Sequence, residues 1–405
     1  MLLQPSTEFP VPPELVKEII TYLSPSECKT FSSVSRLARG HALPVIFEQL
    51  RYSGRVVPKI RNIHMARKDV KEVIRKLRLD SGIGEKSDCA IILQFLETLP
   101  NLRVFECYQF RLVQPAHHIQ LMLSLRHTSL REFVFDTQSY LGAVEVPRPA
   151  GLTGLRKFST NWLLVDNPDE PGSSLAHLYE LVRSSLTTLV ELRLDIDPEN
   201  LLPDFDLQLL KPAGHTLRTF EYSLQHRDES ILYLIPTIFP LLTKLSIQWN
   251  NGYRFKKHPH VYSVFWKESH IEALAKNTNL IDLTLSSDFE WNANDSFKAD
   301  RDYAWWVRCY ERRLNATRAV SSACPLLQHC SWVQMRIKHN NARIVHSFII
   351  EERISDGDTI RVVRGLKQNW MGRDRSIVYN GRITEVLNCK LEALPGDIIG
   401  ENDPE

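Results

Sequence analysis

The chain has 405 residues, 43% of them hydrophobic, which is enough for two or three domains or for one elongated repeat domain. Its 50 Lys and Arg residues nearly balance its 48 Asp and Glu residues, so the formal net charge is only +2. Such a balance predicts neither nucleic acids nor anionic membranes as partners. The 7 cysteines form no disulfide framework, and no apolar run approaches the roughly 18 residues that span a bilayer. We therefore expect a cytoplasmic or nuclear protein.

Residues 9–50 show the pattern of a small helical unit. Apolar residues recur at helical spacing over residues 14–23 and predict an amphipathic helix. Its apolar stripe consists of Leu15, Val16, Ile19, Ile20 and Leu23. Ser24 and Glu27 fit a capping box that begins a second helix. Gly40 and Pro44 interrupt the pattern, so we expect a third short helix over residues 45–50.

These residues resemble the F-box, whose pattern runs L-P-x-E-L, then I-L-x-x-L, a D-L pair and V-C/S-R. The matching stretches are residues 11–15 (VPPEL), 19–23 (IITYL), 27–28 (EC) and 34–36 (VSR). Cys28 stands where the family usually has Leu, and Ala38 where it has Trp or Phe. The resemblance implies that residues 1–53 form a three-helix F-box that binds the Skp-type adaptor of a cullin ubiquitin ligase. The adaptor contacts that it implies are Pro12, Leu15, Ile19, Ile20 and Leu23. The alternative is a helical cap on an unrelated repeat domain.

A six-residue motif with apolar residues at positions one, four and six recurs after this unit. The motifs begin at Ile74, Leu102, Leu130, Leu155, Leu189, Leu217, Leu242, Leu280 and Leu327. Positions four and six point to the same side of a strand, so they can stack on the next strand's pair. Predicted helices lie between the motifs, at residues 88–99, 116–125, 173–186, 229–239, 270–276 and 300–323.

Alternating strands and helices predict an α/β solenoid over residues 54–338, with a parallel sheet on the concave side and helices outside. The region is similar to the irregular leucine-rich repeats found behind F-boxes. An ordinary α/β domain with recurrent leucines is the alternative. Residues 339–405 change to β-rich runs and predict a cap on the last repeat, or a small functional extension, ending in an acidic tail over 396–405.

The sequence shows no catalytic triad, phosphate loop or metal-ligand set, so we expect a protein without enzymatic activity, cofactor or metal. Cys324, His329 and Cys330 lie close together but lack the four-ligand spacing of a zinc site, and buried core thiols are expected instead. An enzyme on an α/β solenoid would need His, Cys and carboxylate side chains that converge in the folded chain.

Strand alternation also indicates which residues face away from the core on the predicted concave side. The candidate target contacts are Glu106, Tyr108, Glu132, Asp136, Glu191, Arg193, Asp195 and Glu221, with Trp249 from an adjoining loop. Acidic residues outnumber basic ones there, which favours a basic or amphipathic protein target. A solvated face without a ligand, or binding through aromatic loops over residues 249–266, are the alternatives.

Together these patterns predict a non-catalytic substrate-recognition subunit of a cullin-type ubiquitin ligase. Its F-box would bind the adaptor, and its repeats would bind a target protein of unknown identity. The alternative is a leucine-rich-repeat scaffold whose F-box-like segment is only a structural cap, unconnected to ubiquitination.

Overall fold

The chain divides into two compact units, Met1–Thr188 and Leu189–Glu405. The computed structural model describes residues 11–53, 68–80, 86–110, 127–137, 152–162, 179, 182–196, 207–224, 229–249, 266–287, 289, 303–334, 343–355, 358–365 and 369–371. The predicted helix at 116–125, most of the one at 173–186, residues 376–379 of the predicted β-rich segment and the acidic tail lie outside these residues.

Three helices open the first unit: α1 (Pro13–Tyr22), α2 (Pro25–Phe31) and α3 (Arg36–Phe47). The prediction of a third helix over residues 45–50 is wrong, because α3 begins nine residues earlier than expected and contains both Gly40 and Pro44. Burial explains the difference. The buried side chains of Ala38, Ala42 and Leu43 hold the helix in place, and this packing outweighs the low helix propensity of Gly and Pro.

Five parallel strands follow in chain order: β1 (Gln49–Ser53), β2 (Lys76–Asp80), β3 (Val104–Phe110), β4 (Glu132–Thr137) and β5 (Lys157–Trp162). In register, Phe105 lies beside Phe133, and Phe133 beside Phe158. The three rings are buried, with neighbouring centroids 5.8 Å apart in both pairs. The predicted stacking of the repeated apolar positions is therefore confirmed in this unit.

The strands β1 to β3 are joined by short helices, α4 (Lys68–Val73) and α5 (Lys86–Glu97). Helix α5 confirms the helix predicted at 88–99, and it buries Ile92, Phe95 and Leu96. The strand β1 lies within the segment assigned to the helical domain, yet it pairs with β2 from Gln49↔Lys76 to Ser53↔Asp80. The helical segment is thus continuous with the first edge of the sheet.

The second unit repeats the same arrangement. Its parallel strands are β6 (Glu191–Ile196), β7 (Thr219–Leu224), β8 (Lys244–Trp249), β9 (Asp282–Leu285) and β10 (His329–Gln334). Between them lie a 3-10 helix (Leu207–Ala213), α6 (Ser230–Ile238), α7 (Ser269–Ala275) and α8 (Tyr303–Ala323). Helices α6, α7 and α8 confirm the helices predicted at 229–239, 270–276 and 300–323. The 3-10 helix was not predicted, and it buries Leu207, Leu210 and Ala213 at its three-residue period.

The strand direction changes at the end of the second unit. Strand β11 (Arg343–Ser355) pairs antiparallel with β10, and β12 (Asp358–Gly365) and β13 (Asn369–Met371) pair antiparallel with β11. The predicted change to β-rich structure is confirmed. Both units are therefore mixed α/β structures built on mainly parallel, open sheets, which is compatible with the predicted repeat fold.

Candidate interaction surfaces

The apolar stripe of α1 is divided between a core and the surface. Val16 and Ile20 are buried and pack with Cys28 and Ala42. Leu15 and Ile19 point the other way and are 50% and 42% exposed. Positions four apart lie on one face of a helix, so Leu15 and Ile19 form one face, and none of the described residues of the first unit buries it.

Local hydrogen bonds fix the helices that support this face. Ser24 Oγ accepts a hydrogen bond from the Glu27 backbone N–H, and the Ser24 N–H donates to Glu27 Oε2 at 2.7 Å, which confirms the capping box. The bonds from the Ser24 side chain and then its backbone lower the pKa of Glu27. Ser35 Oγ caps α3 by accepting from the Ala38 N–H at 3.0 Å.

The two departures from the F-box pattern lie in the interior. Cys28 and Ala38 are both fully buried. Each is smaller than the residue that the family usually has at that position, so these two side chains fill less of the interior. Leu23, Phe31 and Ile46 complete it as partly buried neighbours.

The structure separates the predicted adaptor contacts into two groups. Pro12, Leu15 and Ile19 are exposed, whereas Ile20 is buried and Leu23 packs against the same core. Tyr22, which the sequence analysis did not select, is 81% exposed. It follows Leu15 by seven residues and Ile19 by three, so helical spacing alone would have placed it on this face. We call Pro12, Leu15, Ile19 and Tyr22 the α1 face.

On the first sheet, the candidate target contacts Glu106 and Tyr108 belong to a charge network. Lys76 Nζ lies 2.6 Å from Glu106 Oε1, and Arg78 Nη1 lies 3.6 Å from Glu106 Oε2. Glu106 is only 8% exposed. The Arg78 guanidinium also sits 4.5 Å above the Tyr108 ring, and burial, followed by the nearby Glu106 charge, raises the pKa of Tyr108.

The second sheet shows a similar pairing of charges. Glu221 lies 3.1 Å from Lys244 Nζ and 3.6 Å from Arg193 Nε. Glu191 is half-buried on the neighbouring strand. The backbones of Asp136, Asp195 and Trp249 belong to strands β4, β6 and β8, while their side chains lie outside the described part of the structure.

Glu106 and Glu221 are therefore paired with basic residues of neighbouring strands. Lys76 and Arg78 come from β2, a strand that contributes none of the candidate target contacts. Neighbouring parallel strands bring basic and acidic residues together within about 5 Å, and pairing of this kind is invisible when each repeat is read alone. A target would meet paired charges at Glu106 and Glu221.

Trp266, from the predicted binding loops, packs with Phe289 in the second unit. Trp266 and Phe289 contact the fully buried Trp332, with ring centroids 4.9 Å and 5.0 Å away. Trp332 Nε1 in turn donates to Thr317 Oγ1 at 2.8 Å. These two rings stabilise the second unit, and the other aromatic side chains of 249–266 lie outside the described part of the structure.

The cysteines of the second unit have the environment expected of core thiols. Cys324 and Cys330 are buried and free, whereas His329 is exposed on β10. Burial raises the pKa of Cys324 to about 11 and that of Cys330 to about 12. Within the described ranges, no group of His, Cys, Asp or Glu residues is arranged to hold a metal ion.

The described helices include none with the length and apolar character needed to cross a membrane. Comparison with known proteins adds no likeness to these observations: no family model matches the chain, and no curated protein matches it. The interpretation of both surfaces therefore depends on the residues themselves.

Proposed function

We propose that this protein is a non-catalytic substrate-recognition subunit of a cullin-type ubiquitin ligase, acting in the cytoplasm, the nucleus or both. Its α1 face docks a Skp-type adaptor, and its repeats hold a target protein near the ubiquitin-carrying enzyme. The contribution of such a subunit is proximity rather than chemistry.

The exposed α1 face is the observation that supports this proposal. Leu15, Ile19 and Tyr22 follow the i, i+4, i+7 spacing of helices that dock into apolar grooves. Burying a side chain the size of Leu or Ile contributes roughly 1.5–3 kcal/mol. The resemblance of residues 11–36 to the F-box supplies the identity of the partner.

Connections to the sheet favour a second candidate, in which the helical segment only caps the repeats. Arg39 Nε lies 3.2 Å from Asp69 Oδ2 of α4, and β1 extends the sheet from the end of α3. A cap, however, needs its apolar side covered by the repeats. The cap role explains the buried residues of α1 and leaves the α1 face unexplained.

Adaptor co-purification distinguishes the two candidates. The test variant is Leu15→Asp with Ile19→Asp, which places two charges in the proposed interface. The matched control is Leu326→Asp with Leu209→Asp, whose wild-type side chains are 52% and 42% exposed in the second unit. We expect the wild type and the control to retain adaptor and cullin, and the test variant to lose at least tenfold of both.

Absence of adaptor from the wild-type preparation would leave the cap as the better account. Equal loss in the test and control variants would show that the effect comes from added charge rather than from the α1 face. Thermal unfolding of all the variants checks that each retains its fold.

A further inference from the structure

A groove of about 530 Å³ crosses one end of three neighbouring strands in the first unit. Its lining residues lie where β3, β4 and β5 begin: Asn101, Arg103, Val104, Ser129, Arg131, Glu132 and Arg156. Three of the seven are arginines, although the whole chain has a net charge of only +2. This local excess of positive charge is absent from the global balance and from the candidate target contacts.

The repeat pattern places these arginines in a row. Each arginine follows the first apolar residue of its six-residue motif and directly precedes the strand of that motif. The Arg131 N–H donates to the Arg103 carbonyl at 2.8 Å, and the Arg156 N–H donates to the Arg131 carbonyl at 2.7 Å. Their backbones are therefore adjacent rungs of one ladder, about 4.8 Å apart. We call Arg103, Arg131 and Arg156 the arginine row.

The middle member of the row is held in place. Arg131 Nη1 donates to the carbonyls of Thr128 at 3.0 Å, Leu130 at 3.1 Å and Gly154 at 3.4 Å. Gly154 has a φ of +79°, and a Cβ there would lie 3.0 Å from Arg131 Nη1. Glycine at this position thus provides both the turn conformation and the space for the guanidinium.

The outer members of the row remain available. Arg103 and Arg156 are exposed, and their guanidinium groups form neither an ion pair nor a hydrogen bond with the described residues. The row therefore presents two open guanidinium groups on either side of a fixed one. Guanidinium groups bind carboxylates through paired hydrogen bonds, which gives the row a preference for anionic ligands.

We propose that the groove binds an extended, carboxylate-rich segment of another protein. A segment running along the row meets a positive group at each strand. Asn101 Nδ2 donates a hydrogen bond to the Glu72 carbonyl at 2.7 Å. The Asn101 Oδ1 can accept a hydrogen bond from a peptide N–H. The groove thus combines charge recognition with an acceptor suited to a peptide backbone.

Other anionic ligands fit the lining less well. None of the lining residues that the structure describes is aromatic, so these residues offer no platform on which nucleotide bases could stack. The Glu132 carboxylate also lines the groove and would repel a phosphate dianion placed between the guanidinium groups. Separate carboxylates along a peptide can contact the arginines while avoiding Glu132.

The test measures binding of a fluorescent ten-residue polyglutamate peptide to the full chain by anisotropy, beside a phosphoserine peptide and single-stranded DNA. Arg103→Gln with Arg156→Gln removes the two open guanidinium groups and is expected to weaken polyglutamate binding about tenfold. The control, Lys211→Gln with Lys276→Gln, removes the same charge from exposed positions in the second unit and should change binding less than twofold. Glu132→Gln should strengthen binding.

Equal weakening by the arginine and lysine variants would overturn the proposal, because binding would then follow net charge. Tighter binding of DNA or of the phosphoserine peptide would also overturn it. Weaker binding in Glu132→Gln would contradict the assigned role of that carboxylate even if an arginine variant failed to fold. These outcomes are independent of adaptor capture, which involves none of the groove residues.

Discussion

The two units differ in where they leave apolar side chains exposed. Among the described residues of the first unit, the large exposed apolar side chains belong to the three helices and their connections: Leu15, Ile19, Tyr22, Val34, Leu37 and Val45. In the second, they are spread over a much longer stretch: Leu209, Tyr233, Leu326, Ile354 and Ile360. Scattered exposure is ordinary in a folded protein, whereas a cluster indicates a binding surface.

The units also differ in what their interiors contain. The second unit buries polar and charged groups among its aromatic rings, including His270, Arg313 and His346. The helical part of the first unit has a core of small and aliphatic side chains around Val16 and Ile20. The helical segment of the first unit thus presents apolar side chains outward, whereas the second unit buries polar and charged groups, and the predictions below test each half.

The largest expected effect comes from two adjacent residues of α1. Ile20→Ala removes a buried side chain and should destabilise the helical segment by about 2–5 kcal/mol. Ile19→Ala removes an exposed one and should change stability by less than about 0.5 kcal/mol while weakening adaptor binding. Urea unfolding combined with hydrogen exchange in α1 measures both. Similar stability losses in the two variants would contradict the burial of Ile20 and the exposure of Ile19.

A smaller effect is expected from Arg361 of β12. Its guanidinium donates hydrogen bonds to the carbonyls of Ser321, Cys324 and Leu327, and so connects β12 to the end of α8 and the turn after it. Arg361→Ala should destabilise the second unit by roughly 1.5–3 kcal/mol, as measured by urea unfolding.

Arg364→Ala is the control for that experiment. Arg364 lies on the same strand but is exposed, with Nη2 3.8 Å from Glu351 Oε2, so its loss should cost less than about 1 kcal/mol. If the two variants were equally stable, the three hydrogen bonds from Arg361 to backbone carbonyls would not stabilise the second unit.

The third prediction concerns pH. Burial lowers the pKa of His127 and His270, and it holds the pKa of His346 well below its usual range, with Arg313 adding to the effect. For His270 the Glu229 carboxylate partly opposes burial. These imidazoles therefore bind a proton less readily in the folded chain than in the unfolded chain, where histidines become protonated below about pH 6.5.

The unfolded state therefore binds more protons, and stability falls as the pH drops below about 6.5. From pH 7.5 to 5.5 the free energy of unfolding should decrease, with about 1 kcal/mol of the loss coming from the strongly shifted His346. Hydrogen exchange should show the larger loss in the second unit, which contains two of the three. His215→Gln changes an exposed histidine and should preserve the profile. Constant stability over this range would contradict the inward placement of these groups.

Much of the strand pattern could be predicted because it depends on local repetition. Each six-residue motif, from the one at Ile74 to the one at Leu327, corresponds to a strand. Its apolar positions are buried wherever they are described, such as Leu77 with Leu79. Helix α3 was mispredicted because the cost of Gly40 and Pro44 is local, while the burial of Ala42 that compensates for it depends on α1 and α2.

The interaction surfaces were harder to predict than the strands. The sequence places Ile19 and Ile20 equally on the stripe of α1, and only the packed helices show that one is exposed and the other buried. Likewise, Arg103 and Arg156 are ordinary surface residues when each repeat is considered alone. They become a row only when parallel register brings their strands together.

Hydrogen exchange of the full chain, with and without a purified Skp-type adaptor, tests the proposed role of the α1 face most directly. At saturating adaptor we predict slower exchange in peptides covering residues 12–23 and unchanged exchange in peptides covering residues 229–249. Unchanged exchange throughout residues 12–47 would contradict the account.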